Sequence, residues 1–227
     1  MEELFNFNAQ MFNHLLNIHC SPKIQFSQPV RWHASHPYQR LNFYDQIQVS
    51  QVMGVYLALS KDWLERFDNI VEIGSYNGGL SSYVYDSKKE SASFVSYDIN
   101  PSINTAAQKR PYMDFRVADC FDEKTHEEIK GLIQKEGTTL MICDGGDKTR
   151  EFNVFSDYLK SGDVIILHDY KDESQEALFM EAREYWQWPH LFECSYESVK
   201  EAVQRNGLEK FYYDKFLFYF WGCFIKK

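Results

Sequence analysis

Acids recur at the ends of β-branched runs in this sequence, and one glycine-rich turn lies among them. The turn reads Ile70-Val71-Glu72-Ile73-Gly74-Ser75-Tyr76-Asn77-Gly78-Gly79. Gly74 permits a tight turn, while Gly78 and Gly79 let backbone approach a ligand and let a helix pack on the strand. Amides at the start of that helix favour carboxylate or phosphate. The same residues also make an ordinary strand–loop–helix joint, and the glycines alone do not separate the two readings. Two neighbours narrow the ligand. Tyr76 stands where the dinucleotide fingerprint G-x-G-x-x-G has its second glycine. Glu72 would repel a pyrophosphate but can accept a hydrogen bond from an amino or ammonium group. Asp98 follows at about the distance of a ribose-binding acid. Asp119 and Asp144 end the next two strand candidates, so three acids line one edge of a sheet.

A second group lies further on, in Asp144-Gly145-Gly146-Asp147-Lys148 and in His168-Asp169. A partly desolvated lysine beside a cation has a lowered pKa and can act as a base. Lys148 is equally a solvated lysine in the first turn of a helix that Asp147 caps. His168 has three readings: a general base with an ordinary pKa near ~6.5, a metal ligand, or a hydrogen-bonded strand-end histidine. His19, Cys20, His33 and His36 match no standard metal-ligand spacing and read as a polar loop. Phe211-Tyr212-Tyr213 and the terminal FLFYFW could wall a pocket, but sheet core is the preferred reading.

The elements that must position these groups alternate. Strand candidates fall at 70–73, 92–98, 114–118, 138–143 and 163–168, with helical stretches at 79–87, 102–110, 122–136 and 147–160 between them. Such alternation implies right-handed βαβ units and a mostly parallel sheet with helices on both faces. Upstream, Val49, Val52, Met53, Tyr56, Leu57, Trp63, Leu64 and Phe67 follow helical spacing, predicting a core-packed helix over 44–67. Residues 1–18 predict a weak amphipathic helix, and the proline-containing 20–40 an irregular lid or substrate loop. Downstream, a helix near 173–187 leads to PHLFECSYE (189–197) and FLFYFWGCFIKK (216–227). These two predict a closing strand pair, at least one member of it antiparallel at the sheet edge. The division expected is an N-terminal extension, 1–43, acting as a lid or oligomer contact, and one Rossmann-like domain over 44–227.

Composition sets the class. The 227 residues are 44% hydrophobic and 17% aromatic, enough for a substantial core, and 33 acids against 24 Lys and Arg give a net charge of −9. That balance disfavours a phosphate-tracking nucleic-acid surface and favours small-molecule chemistry. Five cysteines without a CxxC suggest reduced thiols in a cytoplasmic compartment. No signal peptide is read in MEELFNFNAQMFNHLL, and no run approaches the ~20 apolar residues of a membrane helix.

Glu72 with the Gly74–Gly79 turn, Asp98 after the second strand and Asp119 after the third together resemble a class I S-adenosylmethionine-dependent methyltransferase. Met141–Lys148 and Val164–Asp169 are similar to the metal-dependent O-methyltransferases, including the catechol type and the cephalosporin-hydroxylase/sugar O-methyltransferase group. The resemblance covers about 44–170 in motif order, and it implies a seven-stranded sheet. It implies that Glu72, Gly74, Ser75, Tyr76, Asn77 and Gly78 meet the cofactor's amino-acid end, with Asp98 on the ribose, Asp119 by the adenine and Asp144 nearby. It also implies a divalent cation, Mg²⁺ or another, on Asp144, His168 and Asp169, with Lys148, His168 and Asp169 as catalytic candidates.

The sequence departs from the family twice. The catechol pattern has Asp-Asn where this chain has His168-Asp169, and Lys148 lies one residue further from its aspartate than the catechol-type base. The activity implied is methyl transfer to a hydroxyl of a small molecule or sugar, with no nucleic-acid or membrane partner and a homo-oligomer left open. Two alternatives are a nicotinamide-dependent oxidoreductase on a similar fold, against which Tyr76 counts, and a non-catalytic cofactor-binding protein.

Overall fold

The computed structural model describes residues 24–26, 39–43, 48–51, 59, 61–76, 78–100, 107, 110–172, 193–212, 216 and 221–227. Its centre is set by three short runs, Asn69–Ile73 (β4), Thr139–Cys143 (β7) and Val164–Leu167 (β8), in which every residue is buried. Strands covered on both faces read as continuous apolar runs, which is why no polar alternation marks them. Alternate side chains still part to two cores. Ile70, Leu140, Ile142 and Ile166 pack on one face with Trp63 and Leu64 of α1 (Lys61–Leu64) and Leu80, Tyr83 and Val84 of α2 (Gly79–Ser87). Val71, Ile73, Met141 and Ile165 pack on the other. There they meet Ile129 and Ile133 of α3 (Glu123–Ile133), Phe152 and Phe155 of α4 (Lys148–Phe155), and Val199 and Ala202 of α5 (Tyr196–Arg205).

With β5 (Ser93–Asp98), β6 (Asp114–Val117), β11 (Leu208–Lys210) and β12 (Gly222–Lys226), the strands form one seven-stranded sheet ordered β11-β12-β8-β7-β4-β5-β6. The five strands from β4 to β8 are parallel, and β12 runs antiparallel to both β8 and β11. The chain leaves β4 first toward β5 and β6, then crosses back to β7. The loops after β4 and β7 therefore diverge, opening a crevice at the carboxyl ends of the strands where ligands bind in such sheets. The Rossmann-like, mostly parallel plan read from the sequence is the plan of the fold.

Four expectations are corrected. Gln48–Gln51 is a strand (β3), paired antiparallel with Gln39–Phe43 (β2), where the helix over 44–67 was expected; that helix is confined among the described residues to α1. Ile47 and Val49 stand two apart as in a strand, while Val49 and Val52 stand three apart as in a helix, and pairing with a neighbouring strand decides between them. Ile24–Phe26 (β1) pairs with β2, so the stretch 20–40 expected to be irregular holds one strand and the start of a second; this small sheet lies against α2. The partner of β12 is β11 rather than 189–197. Of that segment, Cys194–Ser195 (β10) pairs in parallel with Tyr170–Lys171 (β9), and a helix begins at Tyr196. Ser195 and Ser198 form a reciprocal cap there, and Val199, Ala202 and Val203 supply the buried face. The helices expected at 1–18 and 173–187 lie outside the described residues, as does most of 102–110.

Among the described residues no helix is long and apolar enough to cross a membrane. Cys120, Cys143, Cys194 and Cys223 are free and buried, and burial pushes the Cys120 thiol up to about 12, so these thiols are inert packing groups.

Candidate active site

Glu72 shares its sheet face with Ile70, which turns its carboxylate toward α2 rather than into solvent. It is fully buried, and Oε2 accepts hydrogen bonds from Ser81 Oγ and Ser96 Oγ, both at 2.5 Å. Oε1 has no partner. Burial raises the carboxyl to about 7, against the opposing pull of the two hydroxyls. An orphaned, half-protonated oxygen beneath a glycine turn fits a cationic ligand group, because a nearby ammonium would restore the carboxylate. Ser75 Oγ bonds Ser96 Oγ, so the turn itself is tied into this buried hydroxyl cluster.

The turn's glycines do different work. Gly74 has φ +93°, and a Cβ there would lie 2.0 Å from the carbonyl oxygen of Asp144. Its bareness is demanded by the neighbouring loop of the protein as well as by the turn. Gly78 (φ +74°) is the N-cap of α2, where no side chain caps the helix. Tyr76 is exposed, sits at φ +46°, and donates its amide to Asp98 Oδ2 at 2.5 Å, while Asn100 N donates to Oδ1 at 2.7 Å. Asp98 is thus aimed along the crevice by the turn that precedes it. Asp119 lies two residues beyond β6, where it accepts from Phe121 N at 2.9 Å. Asn77 lies outside the described residues.

The second group converges at the ends of β7 and β8. Asp144 N continues the ladder to Ile73 O, and His168 N to Cys143 O, which sets the two side chains alongside each other. His168 Nδ1 is 2.8 Å from Asp144 Oδ1 and 3.6 Å from Asp169 Oδ2. An ionised carboxylate only accepts, so Nδ1 donates to Asp144, and in the neutral form of the ring Nε2 keeps its lone pair. Burial alone would lower the imidazole's pKa, but Asp144 and Asp169 more than reverse this and raise it. The ring of Trp221 lies 4.6 Å from that of His168, tilted by 30°. Asp169 takes a left-handed φ of +52°, a strained conformation for a non-glycine residue.

Lys148 Nζ, almost wholly buried, meets Glu193 Oε2 at 2.6 Å, Gly145 O at 3.0 Å and Asp169 Oδ2 at 3.3 Å. Burial pulls its pKa down, yet Asp144, Asp169 and Glu193 together push it above the ordinary lysine value. That is opposite to the lowered value a lysine base needs. Glu151, also buried and raised by burial to about 7, reaches back from α4 to accept from Gly145 N at 3.1 Å and Asp147 N at 3.3 Å. The donor set of two carboxylates and an imidazole suits a divalent cation in kind. No group of three or more such side chains among the described residues is arranged as a metal cage. Their facing atoms are engaged by one another and by Lys148.

Sequence reasoning gathered the residues at the strand ends, and Trp221 within the aromatic run, but missed Ser81, Ser96, Glu151 and Glu193. The serines were findable, since Ser81 follows the glycine pair closely and Ser96 is the register partner of Glu72. Glu193 was not, because its approach depends on the β9–β10 pairing.

Comparison with known proteins follows this geometry. A search of curated proteins gives no match. Among solved structures, a CmcI apo-structure aligns with TM-score 0.52 and 20% identity over 87% of this chain and 76% of that one. A cmcI structure with Mg and SAM aligns with TM-score 0.52 and 18% identity over 93% and 95%. At these identities the likeness is one of fold. The family model of the FtsJ-like methyltransferases matches residues 57–207, the span that holds the glycine turn, the strand-end acids and the His168 cluster. This chain belongs to the FtsJ-like methyltransferase family.

Proposed function

We propose that this protein is an S-adenosylmethionine-dependent O-methyltransferase acting on a hydroxyl of a small molecule or sugar. The observation that carries the reading is the Asp144–His168 pair, a carboxylate fixing an imidazole beside the glycine turn. S-adenosylmethionine, when bound, supplies an electrophilic methyl group on a sulfonium. Glu72, with Oε1 unpartnered, supports an ammonium at the amino-acid end, and Asp98 offers carboxylate oxygens to a ribose diol. His168 Nε2 would take the proton of the acceptor hydroxyl, with Asp144 holding the ring and stabilising the imidazolium; the methyl group would pass from sulfur to that oxygen, the S–CH3 bond breaking to leave the neutral thioether. Trp221 backs the ring and keeps water from that side. The acidic surface suits a neutral acceptor better than a polyanion.

A divalent cation, Mg²⁺ or another, would be held by Asp144, Asp169 and His168 and would polarise the acceptor oxygen. Donor chemistry alone supports this second reading, since two carboxylates and an imidazole suit such an ion in kind but are not arranged as a cage among the described residues. EDTA treatment followed by add-back of Mg²⁺, Mn²⁺ or Zn²⁺ separates the two, since full activity in EDTA removes the ion from the reaction.

The donor reading is tested by isothermal titration with S-adenosylhomocysteine. A saturable site is expected, weakened at least about tenfold in Asp98→Ala, for loss of roughly one charge-assisted contact. No binding at millimolar ligand would overturn it. For the base, His168→Ala is expected to lower kcat by about 10²-fold or more while leaving S-adenosylhomocysteine affinity nearly unchanged.

A further inference from the structure

One buried hydroxyl joins Glu72 to the glycine turn. Ser96 lies opposite Glu72 in the β4–β5 register, donates to its Oε2 at 2.5 Å, and is hydrogen-bonded on its other side to Ser75 Oγ. A hydroxyl has a single hydrogen, and that fixes the sense of the chain. While Glu72 is ionised, its Oε2 only accepts, so Ser96 gives its hydrogen to Glu72 and takes one from Ser75. Ser75 then keeps both lone pairs for a donor on a ligand. A protonated Glu72 reverses this order. Its Oε1 has no partner, so the proton is best placed on Oε2, from which it is donated to Ser96. Ser96 then donates to Ser75, and Ser75 turns to the carbonyl of Tyr97, 3.3 Å away. One Ser75 lone pair is thereby used up. Both acceptors for the Ser75 hydrogen are in place, so the chain reverses by hydroxyl rotation alone.

We propose that Ser96 is a positioning residue that relays the charge of Glu72 to Ser75, so that the turn offers its full accepting capacity to a cationic group alone. The proposal rests on reading the turn as the site of the donor's ammonium. An ammonium arriving there holds Glu72 ionised and meets a Ser75 oxygen already set to accept. A neutral or anionic group leaves Glu72 protonated and meets the reversed chain. The charged groups acting on Glu72 are Asp144, after β7, and Asp98, at the end of β5, and both oppose its ionisation. From α2 the Ser81 hydroxyl donates to the same Oε2 and steadies the carboxylate in either state of Ser96. Burial leaves the carboxyl at about 7, so near neutral pH a ligand can tip it either way.

The experiment follows the Glu72 carboxyl carbon by ¹³C NMR through a pH titration of the full chain without ligand, with Glu72→Gln assigning the signal. In Ser75→Ala the midpoint is expected to rise by roughly 0.3 pH unit, because a chain of hydrogen bonds strengthens each of its members. In Ser96→Ala the midpoint is expected to rise as well, and adding Ser75→Ala to it is expected to change nothing more. Ser96→Thr keeps the hydroxyl and is expected to restore the response to Ser75→Ala. A midpoint indifferent to Ser75→Ala overturns the proposal, as does an equal response with and without the Ser96 hydroxyl. A second measurement needs no variant: isothermal titration of the wild type with S-adenosylhomocysteine in buffers of different ionisation heat. About one proton is expected to leave per ligand bound near pH ~6 and almost none near pH ~8. Binding without proton release at the lower pH also overturns the proposal. Absence of any binding overturns the donor reading, while the ligand-free titration still decides the relay.

Discussion

Glu72 is an acid that the fold prefers protonated. Its ordinary pKa of 4.5 rises to about 7 on burial, so between those values the native state binds a proton that the unfolded chain has released. Stability must therefore fall as pH rises through 4.5 to 7, by up to roughly 3 kcal/mol if the shift is fully expressed. Glu72→Gln keeps an acceptor for Ser81 and Ser96 and removes the titration. Melting temperatures measured across this range are expected to fall for the wild type and to fall less steeply for the variant, in which Glu151 still titrates. The same variant is expected to bind S-adenosylhomocysteine more weakly, which would show that the cost to the apo fold is recovered on binding. The acid inside an apolar strand was legible in the sequence as an oddity; its hydroxyl partners were not, because they become neighbours only through the β4–β5 register. For Lys148 the position was legible and the protonation was not, since Glu193 reaches it from 45 residues away.

Among the elements, the strand-to-helix joint at Gly74 carries more constraint than a turn alone. Gly74→Ala would place a methyl group 2.0 Å from the Asp144 carbonyl and hold it at φ +93°. A loss of at least about 2 kcal/mol in urea unfolding is expected, since both the strain and the clash must be relieved. Because the clash falls on the loop bearing Asp144, kcat is expected to fall along with cofactor affinity. At the start of α5, Ser195→Ala removes half of a reciprocal cap and is expected to cost about 1 kcal/mol in the same measurement. The five parallel strands from Ile70 to Leu167 and the helices α2, α3 and α4 were readable because their apolar runs are bounded by turns and their helix faces repeat cleanly. Residues 48–51 were misread because Val49, Val52 and Met53 keep helical spacing, and only pairing with β2 decides against it. The strand at 208–210 was missed because Leu-Glu-Lys carries too little apolar pattern to signal a sheet edge.

For the molecule as a whole, the order of the strands follows from chain connectivity more than from any single contact. Successive βαβ crossovers of one hand, followed by a reversal, leave the crevice between the loops after β4 and β7, and the acids fall there because each ends a parallel strand. This much was legible once the alternation was seen. The closing antiparallel strand was also legible, as the aromatic run ending at Trp221 and Phe224, both fully buried. Trp221→Ala is expected to cost about 3–5 kcal/mol by chemical denaturation, as for other large buried aromatics, with a smaller loss for Trp221→Phe.

The placement of that indole has an optical consequence. Trp221 lies against His168 in a ring-to-ring contact of 4.6 Å, close enough for the imidazole to affect its emission. The difference spectrum between the wild type and Trp221→Phe isolates this indole from the other tryptophans. Any molecule or ion reaching His168 should change that difference, while a ligand confined to the donor turn should leave it nearly constant. The protein thus carries an intrinsic fluorophore at the acceptor end of its crevice, and candidate acceptors can be screened by light before any methylated product has been identified.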